Sequence, residues 1–350
     1  MLPAGSATAR HPSGARPGRP ADCYPGGMRA RASRAAWRPT SPSRCRHHPD
    51  DRRGHLWLAV CLWLTSCASQ HPSGGGLRTE LVDRSGRTYF HEFVIADGER
   101  IETIWAKPAG AGRFPLLVLI HGYQGGARPG ARYFLARSRL QRLARDWGVV
   151  VVSVSQPGFG NSQGVADFCG PRTQRAVLAA VEHFVRTPFV DRARVALMGF
   201  SRGAIVASML ATREHWLAAV VLWSGFYDLA SFYQRNGVPG VRVNIDREAG
   251  TTQDAFRERS ALAHADRIRT PTLILHGGRD PRGGVAGARQ LGARIAANGM
   301  LSSVIVYPDE KHYLDADEVF RDARRFLEGT LLRPRRSNRA SPSPRRPRGH

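Results

Sequence analysis

The chain has 350 residues, 42% hydrophobic and 23% charged, with a formal net charge of +24. That apolar share is ordinary for a globular protein and excludes a collagen-like or wholly disordered chain. No apolar run reaches the ~18 residues of a membrane-spanning helix, which excludes a polytopic membrane protein.

The charge sits largely at the ends: +8 on residues 1–54, +7 on residues 333–350 and +9 on residues 55–332. Every basic residue except Lys107 and Lys311 is Arg. So uniform a choice points to a coding bias rather than to phosphate contacts, and no nucleic-acid partner is expected. Residues 1–54 and 333–350 are rich in Pro, Ser and Arg without hydrophobic period. Such segments cannot offset the entropy of ordering and are expected to be disordered basic extensions.

Between the first extension and the body lies a short export signal. Arg52 and Arg53 precede the apolar run Leu56–Leu64, and Leu64-Thr65-Ser66-Cys67 follows. A basic flank, a short apolar core and a small-residue exit are the parts of a secretory signal. The last four residues resemble a bacterial lipobox, which implies lipidation of Cys67 and a membrane partner through an N-terminal lipid anchor. The expected location is the cell envelope, on the periplasmic side of a bacterial membrane. Residues 55–67 are therefore read as signal and lipobox, and residues 68–87 as a linker. After processing at Cys67 only Cys67 and Cys169 remain, so no disulfide framework is expected. Neither Cys-x-x-Cys nor His-x-x-x-His spacing occurs, and no metal site is expected.

Residues 88–332 read as one α/β domain. Tyr89–Ile95 and Ile101–Ala106 alternate in polarity around Asp97-Gly98, as an antiparallel edge pair does. Leu116–Ile120, Val149–Val154, Val195–Met198, Ala218–Trp223, Thr272–Leu275 and Ser302–Tyr307 are nearly continuous in hydrophobicity, the pattern of parallel strands covered on both faces. Helices are predicted over Tyr133–Arg145, Arg172–Arg186 and Val285–Ala297. A last helix opens at Asp315, with Glu318 completing a capping-box pattern and an apolar stripe of Val319, Ala323, Phe326 and Leu327. This alternation implies a doubly wound, mostly parallel sheet with right-handed crossovers. Residues 226–268 break the rhythm and are expected to form a small cap.

Ligands of open α/β sheets bind beyond the carboxyl ends of the strands. After Val195–Met198 comes Gly199-Phe200-Ser201-Arg202-Gly203, a G-x-S-x-G turn between strand and helix. Such a turn projects the serine oxygen above the sheet at a helix N-terminus. Asp280 follows the strand ending at Leu275, and His312 follows the strand ending at Tyr307. A serine hydroxyl needs an imidazole to take its proton, and the imidazole needs a carboxylate to orient it. Ser201, Asp280 and His312 stand in the order that this fold uses. Asp228 is a reserve acid; Asp309 and Glu310 crowd the histidine. By position the oxyanion donors are the backbone N–H groups of Tyr123 and Arg202, with the Tyr123 hydroxyl an alternative to its amide. His121 reads as structural. The glycine-rich run Gly158–Gly164 lacks nucleotide-loop spacing and reads as a turn flanking the site.

The motifs HGYQGG (121–126), PGFGNSQG (157–164), GFSRG (199–203), TPTLILHGGRDP (270–281) and YPDEKH (307–312) resemble those of the prolyl oligopeptidase-like (S9) and dienelactone-hydrolase-like α/β hydrolases. The resemblance covers residues 116–332. It implies the α/β-hydrolase fold and a serine hydrolase acting on an ester or a small amide or peptide, with nucleophile Ser201, base His312 and orienting Asp280, and no cofactor. Only residues 68–115 separate Cys67 from the first parallel strand, too few for the β-propeller of the larger peptidases, so no propeller is expected to gate the site. Two readings compete with an esterase: an S9-like peptidase lacking a propeller, and a non-catalytic envelope binding protein in which the three residues need not converge.

Overall fold

The computed structural model describes residues 78–332 apart from 84 and 239. The expected basic extensions, the signal and lipobox with Cys67, and most of the expected linker lie outside the described residues.

The eight predicted runs and one further segment form nine strands of one sheet: β1 (Thr79–Val82), β2 (Thr88–Ala96), β3 (Glu99–Ala106), β4 (Phe114–Ile120), β5 (Val150–Val154), β6 (Val190–Phe200), β7 (Ala219–Trp223), β8 (Thr272–Gly277) and β9 (Ser302–Tyr307). Their order across the sheet is β1-β2-β3-β5-β4-β6-β7-β8-β9. Asp97 and Gly98 join β2 to β3 with φ of 50° and 79°, the left-handed pair that a tight hairpin between right-twisted strands requires. The first three strands are antiparallel, and β3 meets β5 antiparallel. From β5 to β9 every pairing is parallel. The chain leaves β4 toward β5 on one side and returns to β6 on the other, so the order reverses at β4. A crevice opens at such a switch point.

Both faces of the parallel strands are covered, which is why those runs are apolar throughout. Leu116, Val118 and Ile120 of β4 face one core, and Leu117 and Leu119 face the other. The first core is closed by α2 (Pro171–Val185), α3 (Arg202–Ala211) and α7 (Val285–Ala297). The second is closed by α1 (Arg139–Trp147) and α8 (Ala316–Leu327). Asp315 caps α8 by accepting from the N–H groups of Asp317 and Glu318 at 2.9 and 3.0 Å, and Val319, Ala323 and Leu327 are buried below it. Edge strand β9 is half-buried along its length. The stretch 226–268 folds into α4 (Leu229–Arg235), α5 (Val241–Glu248), α6 (Gln253–Arg257) and a 3-10 segment, Ala261–Arg267.

Two expectations need correction. The helix predicted over 133–145 is broken: residues Gly130–Ser138 form a 3-10 segment, and Ser138, at φ 52°, turns the chain into α1. Apolar spacing does not register a single left-handed residue. Strand β1 falls within residues 68–87, read as linker. Its four residues are too few to show a period, and its order comes from the ladder to β2.

One buried carboxylate ties the switch-point loop to the sheet. Glu102 of β3, fully buried, accepts from Ser155 Oγ at 2.7 Å and from the backbone and side-chain amides of Asn161 at 2.8 and 2.9 Å. Arg132 Nη2 lies at 3.2 Å and His91 Nε2 at 3.0 Å. Residues 157–164 are thus held as a turn beside the sheet end.

Candidate active site

Ser201 sits between β6 and α3 at φ 53°, ψ −113°. An L residue there costs about 1–3 kcal/mol and persists only where its surroundings enforce it. The enforcement is steric. A Cβ at position 199 would overlap the Gly203 carbonyl, and one at 203 would overlap the Ile120 carbonyl of β4. The helix therefore starts hard against two strand ends, with only hydrogen atoms between. The Ser201 N–H also bonds the Trp223 carbonyl at the end of β7, at 2.8 Å.

The loops after β8 and β9 bring the other two residues to this point. Ser201 Oγ lies 2.9 Å from His312 Nε2, and His312 Nδ1 lies 2.7 Å from Asp280 Oδ2. All three are buried. Burial alone would raise the Asp280 carboxyl, but hydrogen bonds from His276 and His312, and the Arg282 N–H at 2.9 Å, outweigh it and hold the group well below the usual carboxylate range. Burial also lowers His312, against the opposing pull of Asp280, so its pKa falls below the ordinary 6.5. At neutral pH the ring is therefore uncharged. With its Nδ1–H on an ionised Asp280, its bare Nε2 accepts from the serine hydroxyl. Phe226 stacks on the imidazole at 5.8 Å and 9° between planes.

The reserve acid Asp228 and the disfavoured Asp309 have other work. Asp228 caps α4, accepting from the Ser231 N–H at 3.1 Å. Asp309 pairs with Arg279 in solvent, at 2.7 Å.

The oxyanion side is assembled by close approach. A Cβ at Gly122 would lie 2.9 Å from the Phe200 ring and 3.1 Å from Ser201 Cβ, so the loop after β4 passes directly against the serine. Tyr123 follows in that loop, and Arg202 is the first residue of α3, where a helix N–H has no intrahelical acceptor. Tyr123, Ser201, Arg202 and His312 all line one pocket of about 70 Å³ whose wall includes Phe168, Phe226, Phe232 and Val241. The Tyr123 ring lies against the Arg202 guanidinium, 4.5 Å from ring centre to guanidinium carbon.

His121 has the structural part expected of it. Its Nδ1–H bonds the Gly122 carbonyl at 2.7 Å, and its Nε2 accepts from the Gln156 N–H at 3.1 Å. Gln156 returns a bond to the His121 carbonyl. The ring thereby clamps the ends of β4 and β5 together beneath the oxyanion loop.

Three participants escaped the sequence reading. His276, fully buried at the end of β8, places Nε2 3.3 Å from Asp280 Oδ2 and 3.2 Å from the Gly283 carbonyl. Both neighbours are acceptors, so Nε2 carries the ring proton, which bonds the Gly283 carbonyl and lies beside Asp280. A histidine closing an apolar strand four residues before the acid is a usable signal for this. Phe168 and Glu248 flank the Arg202 side chain. Nothing local marks either, because each is distant in the chain.

Residues 137–330 match the prolyl oligopeptidase family. The chain is 23% identical over 238 residues to acylamino-acid-releasing enzyme 1 of Oryza sativa subsp. japonica, across 63% of this chain and 30% of that protein. It thus spans about a third of the length of the first curated relatives it matches. Among solved structures, the acylaminoacyl peptidase of Pyrococcus horikoshii superposes with a TM-score of 0.59 at 18% identity, over 71% of this chain and 42% of that one. The Pyrococcus furiosus esterase Pf2001 superposes with a TM-score of 0.57 at 18% identity, over 70% and 92%. These two share the α/β-hydrolase fold with this chain.

The clamp has a pH signature. Burial pushes His121 from 6.5 down to about 4. A folded pKa below the unfolded one means that the stabilisation is complete above pH ~6.5 and is lost as the pH falls toward 4, a difference of about 3 kcal/mol. Urea midpoints should therefore drop across that window, and His121→Gln should flatten the drop. A variant profile that overlays the wild type would refute this assignment.

Proposed function

The chain belongs to the prolyl oligopeptidase family, and we propose that it is a serine hydrolase that cleaves a carboxylic ester or a small amide or peptide bond through an acyl-enzyme on Ser201. One observation carries the reading: Ser201, His312 and Asp280 form a continuous hydrogen-bonded line although 111 positions separate the serine from the histidine. A binding protein would need no such convergence.

In this mechanism the substrate carbonyl lies over Ser201 Oγ. His312 Nε2 takes the hydroxyl proton as the oxygen bonds to the carbonyl carbon, and Asp280 remains ionised and stabilises the imidazolium. The carbonyl oxygen becomes an oxyanion and accepts from the N–H groups of Tyr123 and Arg202. Donors fixed by the fold would favour the tetrahedral state over the planar one. Collapse expels the leaving group with the proton from His312, and water repeats the sequence on the acyl-enzyme. The pocket beside the serine is small and walled by apolar side chains. A single water occupies ~10–15 Å³ on the same measure, so a compact apolar acyl group or side chain fits.

We further propose that the chain is anchored to a membrane through lipidated Cys67. The support is the arrangement of Arg52-Arg53, Leu56–Leu64 and Leu64-Thr65-Ser66-Cys67.

The full chain should react with a fluorophosphonate probe and hydrolyse short p-nitrophenyl esters or aminoacyl-p-nitroanilides. Ser201→Ala should do neither, and equal labelling of wild type and variant would end the proposal. Because uncharged His312 is the active form and burial lowers its pKa, kcat/KM should rise with pH and level off, with a midpoint below 6.5; a midpoint above 6.5 contradicts the assignment. Cys67→Ala should move the protein from the membrane fraction to the soluble fraction, and wild type already soluble in the cytosol would exclude the anchor.

A further inference from the structure

Arg202 enters the site twice. Its backbone N–H is the first of α3, next to Ser201, and its side chain pairs with the cap segment. The guanidinium is buried between two aromatic rings, 4.5 Å from the centre of Tyr123 and 4.1 Å from that of Phe168. Its Nη1 donates to Glu248 Oε2 at 2.7 Å, and the two side chains are only 8% and 4% exposed. Glu248 is the last residue of α5. Its other oxygen accepts from Arg247 Nη2 at 2.8 Å. The Arg202 side chain, over which the Tyr123 ring stacks, is therefore tied to the end of one cap helix.

The shelf beneath the guanidinium is strained. Phe168 and Cys169 are consecutive non-glycine residues with φ of 46° and 64°, and each such residue costs about 1–3 kcal/mol. Buried Arg259 from the cap holds them, donating to the carbonyls of Asp167 and Phe168 at 2.8–3.2 Å. Stability alone does not account for this construction. Removing two charges from water costs about as much as their attraction returns, and an apolar pair of equal volume often serves as well.

We propose that Glu248 is a positioning residue for the oxyanion hole. By fixing the Arg202 guanidinium between Tyr123 and Phe168, it sets the backbone of both donors, so the cap segment 226–268 and the hole act as one unit. This rests on the serine-hydrolase reading. A donor displaced by about 1 Å loses most of its effect on the transition state, whereas ground-state binding by the pocket-wall residues outside this cluster, Phe226 and Phe232, changes less.

In the full chain, Glu248→Gln is expected to lower kcat about 10- to 100-fold with KM within about threefold. Affinity for a short alkyl boronic acid, whose tetrahedral serine adduct places an oxygen in the hole, should fall by the same factor as kcat. Since Glu248→Gln leaves a buried guanidinium unpaired, Arg202→Met/Glu248→Leu supplies a folded partner variant. It should keep the wild-type urea midpoint and show the same loss of kcat and of boronate affinity. Wild-type kcat and boronate affinity in a folded variant would overturn the proposal, as would a loss of kcat that only tracks a loss of folded protein. Wild type that Ser201→Ala matches in labelling would instead sink the underlying hydrolase reading. An active wild type, an inactive Ser201→Ala and an unimpaired Glu248→Gln would sink this inference alone.

Discussion

At φ 53° and ψ −113° Ser201 occupies backbone space that an L residue leaves unless it is held there. What holds it is the end of the sheet. The Gly203 backbone abuts the Ile120 carbonyl, the Gly199 and Gly203 backbones abut each other, and the Ser201 N–H bonds the last carbonyl of β7. The hydroxyl thus stands clear of β6 at the start of α3, where helix N–H groups have no acceptors of their own. Parallel pairing from β5 to β9 brings the strand ends to one rim, so the loops that follow β4, β8 and β9 reach the same point. The remaining chemistry needs only side chains of the correct type on those loops.

Burial then sets the charges. The site is enclosed enough that His312 is kept uncharged and ready to accept a proton, while the one required negative charge, on Asp280, is supported by His312, His276 and the Arg282 amide. A buried carboxylate without those donors would take up a proton and leave the imidazole without orientation. Glu102 of β3, 0% exposed, is a second buried carboxylate surrounded by donors. Its oxygens are saturated by loop and side-chain donors, and the fixed turn at 157–164 supports the His121 clamp and, through Phe159, the Tyr123 ring.

The cap segment joins this framework through charge rather than through apolar packing alone. Arg202, Glu248, Arg247 and Arg259 form polar links between α5, the strained Phe168–Cys169 turn and the serine elbow. A framework of this kind gives the small apolar pocket walls on both the sheet side and the cap side, with Phe168 and Val241 on the same cavity.

By itself the sequence determined the alternation of strand and helix, the glycines around Ser201, and the placement of Asp280 and His312 just beyond apolar runs. Each depends on neighbours along the chain. An apolar run of four to seven residues makes a strand wherever it packs, and a parallel sheet sends every such strand end to one rim. Tertiary structure alone decided what depends on distant pairs. The ladder to β2 ordered β1, a single left-handed serine broke the helix expected over 133–145, and His276 turned toward Asp280 rather than toward the core. Glu248 met Arg202 across 46 positions because a charged side chain is removed from water only where the folded chain supplies its counterpart.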